Sequence, residues 1–390
     1  MEASVSASPV IADSGRNSPE LRPARLQSLD LFRGMTIAAM ILVNNAGDEP
    51  SAYWPLRHAE WNGWTPTDLV FPFFLFIVGV AMAFSFRSRL DRGESRSRLL
   101  KHVLWRGILL FALGMFLNGF PNHYQLAHWR IYGVLQRIAI CYVVTAILEL
   151  WTGWRAQLSV ALACLVAYWI AMRYLPVPGF GVPTHNMPLL DPDRNIAAWL
   201  DRTLLTGHLY EVTRDPEGII STIPAFATCL GGLLTGKWLK TDRTSEDKAF
   251  TLAVAGIAAI VIGQIAAIWF PINKKLWTSS YVMFTAGLAI TGLALLYWVV
   301  DVKRLGGRWM RPILVFGTNA IAAYFFAEVV AHTLYRISFH GTSLQEFIYS
   351  RVFAPVASAP NASLLYAIAF VAVCCVAMSV LYRKRIFIKI

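Results

Sequence analysis

The chain has 390 residues, of which 56% are hydrophobic and only 15% charged, with a formal net charge of +12. Soluble domains carry roughly 25% charged residues, so a soluble globular protein is excluded. The positive charge would suggest nucleic acid in a soluble chain; here it reads as cytoplasmic loop charge of a membrane protein, and no nucleic-acid partner is expected.

Apolar runs of about 20 residues recur, the length that crosses roughly 30 Å of hydrocarbon. They lack the period-two alternation of a membrane barrel, which leaves helices as the spanning structure. The expected fold class is an all-α polytopic integral membrane bundle with about 10 transmembrane helices. Residues 1–25, rich in Ser, Ala, Pro and Arg, read as a disordered cytoplasmic tail. Residues 26–390 read as one transmembrane domain.

The first span runs from about Leu29 to Val43, with no cleavable signal peptide ahead of it. It opens with SLDLFRG (Ser28 to Gly34), in which Asp30 and Arg33 lie one helical turn apart. A lone charge at the membrane centre costs about 2.5–3.5 kcal/mol, so the pair reads equally as a structural ion pair or a functional one.

Next comes RHAEWNGWTPTDLVFPFFLFIVG, Arg57 to Gly79, polar and aromatic at its start and apolar from Asp68 onward. His58 is a titratable imidazole at a membrane edge; on spacing alone it reads as a helix cap or headgroup-level residue, or as the seat of chemistry. The second span, about Asp68 to Phe86, ends in the basic cluster of Arg87, Arg89, Arg92, Arg96, Arg98, Lys101 and Arg106. Further spans are expected near 103–120, 131–150, 156–175, 218–236, 249–270, 279–300, 312–332 and 362–382. With the N-terminus inside, the basic segments fall on the cytoplasmic side, and both termini are cytoplasmic. His58, Asn44, Asp215, Glu217, Asn273 and Lys274 then share the outer side.

The later motifs have plain readings beside functional ones. GVLQRIAICY places Arg137 within a span, where an arginine faces a cavity or a partner. DPEGIISTIPA sets Asp215 and Glu217 at a helix start, as caps or as carboxylates for a substrate ammonium. PINKKLWTSSYV carries Asn273, Lys274 and Lys275, and two lysines on the outer side point to an anion nearby. FGTNAIAAY holds Asn319, an ordinary helix–helix hydrogen-bonding residue. The five cysteines lie inside apolar runs as packing residues. No Walker loop, HExxH or CxxC is present, and the histidines lack ligand spacing, so no metal is expected.

SLDLFRG, Asn44 and HAEWNGWTPTDLVFPFFLFIVG, followed in order by the later blocks, resemble the heparan-alpha-glucosaminide N-acetyltransferase family of transmembrane acyltransferases. The resemblance covers about residue 26 to the C-terminus and implies transfer of acetyl groups from cytosolic acetyl-CoA to the amine of a terminal glucosamine across the membrane. It implies His58 as the active histidine, a general base or a transiently acetylated residue. Asn44 and Asp68 are the implied catalytic partners, orienting the ring or meeting an oxyanion. Arg137, Lys274 and Lys275 are candidates for CoA phosphates. Trp61, Asn62, Asp215, Glu217 and Asn273 are candidates for the acceptor.

The interval from Asn44 to His58 is longer than the family pattern and the leading segment is short, which points to a bacterial-type inner-membrane enzyme acting on an amino sugar or glycan. The expected partners are acetyl-CoA, that acceptor and the lipid bilayer, with a homodimer as candidate assembly. A transporter of amino sugars or related small solutes is the alternative reading, since polar groups at span ends also suit a solute pathway.

Overall fold

The computed structural model describes residues 26–121 and 123–388; the expected tail, 1–25, lies outside them. The described chain is helical apart from loops and one short hairpin, Ser338–Phe339 against Thr342–Ser343. In order, the helices are α1 (Gln27–Asn44), α2 (Val70–Asp91), α3 (Arg96–Gly119), α4 (Val134–Trp151), α5 (Trp154–Tyr174), α6 (Ile196–Leu204) and α7 (Thr222–Leu239). There follow α8 (Ser245–Ala266), α9 (Ser279–Leu296), α10 (Arg311–Thr318), α11 (Ala320–Arg336), α12 (Leu344–Ile348) and α13 (Ala359–Arg383). Some of their starts are set by capping side chains that satisfy orphan amides. Ser95 accepts from Arg98, Asn195 from Ala198 and Thr244 from Asp247.

All ten expected spans are helical, but the count changes. Among the described residues, seven helices are long and apolar enough to cross a membrane, or eight if α10 and α11 together form one span. Neither α1 nor α7 is among them. Both are packed inside the bundle, α7 burying Pro224, Cys229, Leu230 and Leu233 among others. A helix shielded from lipid by its neighbours has less need of an apolar surface. The span expected as continuous over 312–332 is instead bent by 77° between α10 and α11. Asn319 sits at that break, where its side chain donates to the Ile386 carbonyl at 3.1 Å and accepts from the Ile388 amide at 2.9 Å. The residue read as a helix–helix hydrogen bonder therefore clips the C-terminal segment.

Small residues let helices approach closely, as is usual in lipid. A Cβ on Gly79 of α2 would stand 2.0 Å from the Cys229 carbonyl oxygen of α7, and one on Gly232 of α7 would stand 1.9 Å from that of Phe76. The crossing of α2 on α7 requires glycine on both sides. The Asp30–Arg33 pair is closed at 3.5 Å, and Arg33 also donates to the Gly317 carbonyl of α10 at 3.1 Å. That ties α1 to α10 and makes the structural reading of the pair the better one.

The loops sort to two ends. At the basic end the Gln27 and Ser28 amides donate to Asp301 at 3.2 and 3.1 Å, and Lys237 pairs with Glu149 at 2.5 Å. At the opposite end the Gly63 amide donates to the Ile272 carbonyl at 2.8 Å, and Arg336 donates to the Phe120 carbonyl at 2.9 Å. Trp61 donates to the Leu190 carbonyl at 2.8 Å, fastening the long 175–221 connection with its short α6 over the same end. This loop-rich end holds His58.

Candidate active site

The segment before α2 builds its own geometry. Pro66–Leu69 forms a single 3-10 turn that leads into α2, with Asp68 in its first turn reaching back as in a capping box. One oxygen of Asp68, Oδ2, accepts the backbone amides of Ala59 and Thr65, each at 3.0 Å. The other, Oδ1, is left for His58, whose Nδ1 stands 2.7 Å away. Asp68 is buried while the His58 side chain is 42% exposed, so the carboxylate is fixed and the ring faces outward. The Thr65 hydroxyl donates to the Arg57 carbonyl at 2.6 Å, holding the backbone next to the histidine. From α9, the Tyr281 hydroxyl donates to the Asp68 carbonyl at 2.6 Å.

Lys274 completes this centre. Its Nζ lies 3.0 Å from His58 Nδ1, 3.2 Å from Nε2 and 3.6 Å from Asp68 Oδ1. The 271–278 loop that carries it is shaped by buried Asn273, which accepts from the Leu276 amide at 2.9 Å and donates to Asn62 at 3.2 Å. Trp277 sits in the left-handed region at φ 53° and is buried against the rings of Phe71 and Tyr281. Burial pulls the Lys274 ammonium below the ordinary lysine range, with the Asp68 and Glu217 carboxylates opposing it. With Nδ1 donating to Asp68, the imidazole keeps an Nε2 lone pair for proton transfer or nucleophilic attack, in the manner of a carboxylate-oriented histidine.

Of the residues expected from sequence, His58 and Asp68 are therefore brought together. Asn62 and Asn273 meet each other and hold the loops around the centre. Trp61 packs beneath cations, with the Arg214 guanidinium 5.1 Å and the Lys275 ammonium 6.0 Å from its ring. Lys275 pairs with Glu211 at 3.4 Å. Arg137 is fully buried: it donates to the Pro216 carbonyl at 2.9 Å and Ser221 Oγ at 2.5 Å, and lies 5.0 Å over the Trp277 ring. Its guanidinium joins α4 to the start of α7 and faces no open surface. Asp215 and Glu217 are both buried and both paired with Arg130, at 2.6 and 2.5 Å. Burial alone would raise the Glu217 carboxyl, and the charges of Arg130, Arg137 and Lys274 more than reverse this, holding it below the usual range.

Asn44 ends α1, and among the described residues no hydrogen bond joins it to His58. Sequence reasoning missed two residues here, namely Lys274 as a neighbour of the histidine and Arg130 as the counter-charge of the acidic motif. The adjacent pair of lysines was a signal for the first. For the second the sequence holds none, because its partners lie far away in the chain.

Fold and site together define a polytopic helical membrane protein with an imidazole–carboxylate–ammonium centre at one end of its bundle. Residues 25–274, more than half of the chain, match the family described as heparan-alpha-glucosaminide N-acetyltransferase, catalytic. The stretch includes His58, Asp68 and Lys274. A mouse (Mus musculus) protein named heparan-alpha-glucosaminide N-acetyltransferase is 33% identical over 384 residues, covering 83% of this chain and 56% of its own length. The human (Homo sapiens) protein of that name is 34% identical over 367 residues, covering 79% and 53%. The chain belongs to the heparan-alpha-glucosaminide N-acetyltransferase family, and it spans about half the length of the curated relatives it matches.

Proposed function

We propose that the protein is a transmembrane N-acetyltransferase that moves an acetyl group from acetyl-CoA to the amine of an amino sugar at the loop-rich end, with His58 as its central residue. The observation that carries this reading is the 2.7 Å contact of His58 Nδ1 with a carboxylate whose other oxygen is locked by two backbone amides. Such a carboxylate favours the Nδ1–H tautomer, which leaves the ring's lone pair on Nε2, on the side where Lys274 stands. In the transfer, the amine nitrogen bonds to the acetyl carbon, the carbon–sulfur bond breaks, and Nε2 takes a proton from nitrogen and returns it to the departing sulfur. In the two-step form Nε2 itself carries the acetyl group between donor and acceptor.

The Lys274 ammonium, 3.2 Å from Nε2, is positioned to stabilise negative charge developing on the carbonyl oxygen. Positive-inside loop charge supports a cytoplasmic location for both termini and an outer location for His58. Lys275 and Arg137 receive no role toward CoA, since one is paired with Glu211 and the other is enclosed.

The test is thiol release by the purified protein with acetyl-CoA and glucosamine, native against His58→Ala. Acceptor-dependent release that disappears in the variant is expected. Release that survives would remove His58 as the catalyst, and no release with any amino sugar, alongside uptake in proteoliposomes, would favour a transporter.

A further inference from the structure

A centre that acetylates amines has to bring a primary amine to its base, and this chain already holds one there. Lys274 Nζ stands 3.0 Å from His58 Nδ1 and 3.2 Å from Nε2. That is the hydrogen-bond reach required between a nucleophile and the base that activates it. The base is oriented in turn by Asp68, whose Oδ1 lies 2.7 Å from Nδ1. The three side chains therefore stand in the order of nucleophile, base and orienting carboxylate. In kind, the lysine side chain presents the same group as an amino sugar, a primary amine on a saturated carbon.

The backbone on both sides of Lys274 is fixed. The Asn273 amide donates to Thr278 Oγ1 at 3.0 Å, and the Trp277 amide donates to the Lys274 carbonyl at 3.1 Å. The Ile272 carbonyl accepts from Gly63, which ties this loop to the segment that carries His58. Burial favours the neutral amine over the ammonium, against the pull of the Asp68 and Glu217 carboxylates. The adjacent Lys275 is the contrast. Its side chain is 31% exposed against 20% for Lys274, and its ammonium is paired with Glu211 at 3.4 Å. Among the described residues no hydrogen bond joins Lys275 to a histidine.

We infer that Lys274 is a self-acetylation site: with no amino sugar present, its amine takes the acetyl group of acetyl-CoA, with His58 as base, and the amide formed shuts the centre. The inference rests on the acetyl-transfer reading of His58 and adds a form of regulation to that site. In the step, Nζ bonds to the acetyl carbon and the carbon–sulfur bond breaks. Two protons leave the lysine ammonium. One goes to solvent, and the other passes through Nε2 to the departing sulfur, so the products are acetyl-lysine, the CoA thiol and one proton. Where Nε2 carries the acetyl group first, the same Nζ attacks the acyl-imidazole beside it, and the bond to Nε2 breaks as the ring takes up the proton. Either route ends in an amide, which lacks the leaving group of a thioester, and no onward transfer to a sugar follows. Acetylation also removes the lysine charge from the centre. An acceptor amine at the ring competes for the same acetyl group and protects the lysine.

The experiment incubates the purified full chain with excess acetyl-CoA and no amino sugar, and locates acetyl groups by fragmentation mass spectrometry that separates Lys274 from Lys275. Lys274 is expected to carry at least about tenfold more acetyl than the more exposed Lys275. Glucosamine present from the start is expected to lower the Lys274 mark by about tenfold or more. Equal marking of the two lysines, the outcome of uncatalysed acetylation, overturns the inference, and so does a mark indifferent to glucosamine. Both comparisons use the native chain alone. In His58→Ala the Lys274 mark is expected to fall at least about tenfold with that on Lys275 unchanged; a mark that persists overturns the inference. The marked native chain, given fresh glucosamine, is expected to release CoA at least about tenfold more slowly than the unmarked chain, and an undiminished rate overturns the shut-off. Acetyl transfer to glucosamine by a chain whose Lys274 stays unmarked would remove the inference and leave the enzyme standing. A His58-dependent mark in a chain that acetylates no amino sugar would do the reverse.

Discussion

Two acidic motifs stand at the same end of the molecule, and they have opposite fates. Asp68 lies in the first turn leading into α2, whereas Asp215 and Glu217 lie in the turns ahead of α7, where they cap no helix. At the start of α2, Asp68 spends one oxygen on backbone amides and offers the other to an exposed imidazole. Just before α7, Asp215 and Glu217 converge on a single guanidinium, and that ion cluster is sealed. Residue type is alike; the difference that decides their fate is which group saturates the carboxylate. A carboxylate saturated by a buried arginine is a structural tie. One that hands its free oxygen to a solvent-facing ring can orient chemistry.

The sharpest way to break this comparison is to remove the ring. His58→Ala should lower acetyl transfer by at least about 10²–10⁴-fold, the usual worth of general acid–base catalysis. Its thermal unfolding in detergent should stay near that of the native chain, because the side chain is 42% exposed. Asp68→Asn keeps the shape and removes the charge that fixes the tautomer. A fall in turnover of up to about 10⁴-fold is expected, by analogy with orienting carboxylates elsewhere, with little change in the KM for acetyl-CoA in steady-state kinetics.

The sealed cluster should respond in the other observable. Arg130→Met strands two buried carboxylates, and loss of one partner of a buried ion pair costs about 3–5 kcal/mol. A strongly lowered unfolding midpoint in differential scanning fluorimetry is the expected result; an unchanged midpoint would contradict the structural role given to Arg130. A smaller effect is expected at Lys274. Its ammonium sits below the ordinary lysine range through burial, so it loses its proton earlier as pH rises, and activity should fall there. Lys274→Arg keeps the charge at higher pH, and its pH–rate profile should extend further on the alkaline side.

The smallest effect concerns Asp201 in α6, buried within the 175–221 connection and accepting from the Ile219 amide at 3.0 Å. Burial pushes its carboxyl up to about 6, from an ordinary value of 3.8. The folded state therefore holds this proton more tightly than the unfolded chain, and the stability it contributes is present at low pH and lost as pH rises from about 4 to about 6. Asp201→Asn, which retains an acceptor oxygen, should remove that component, seen as a flatter dependence of the unfolding midpoint on pH over this window relative to the native chain.

The sequence alone determined the features that depend on neighbours along the chain. Apolar length called for membrane helices, and ten such segments are helical, because a backbone in hydrocarbon has no other partner than itself. His58 and Asp68 were paired from sequence only through the family resemblance; the structure joins them because they lie ten residues apart and one local turn connects them. Tertiary structure alone decided which charges neutralise one another. Lys274 reaches His58 across 216 residues, and Arg130 reaches Asp215 across 85. The same holds for Lys275, whose residue type suits phosphate but which pairs with Glu211, and for Arg137, which is enclosed between α4 and the start of α7. The reason is physical: helix periodicity and capping act over one or two turns. A Coulomb partner is fixed only when the loops of separate helices are brought to one end of the bundle, so the chemistry of each carboxylate there was settled by packing.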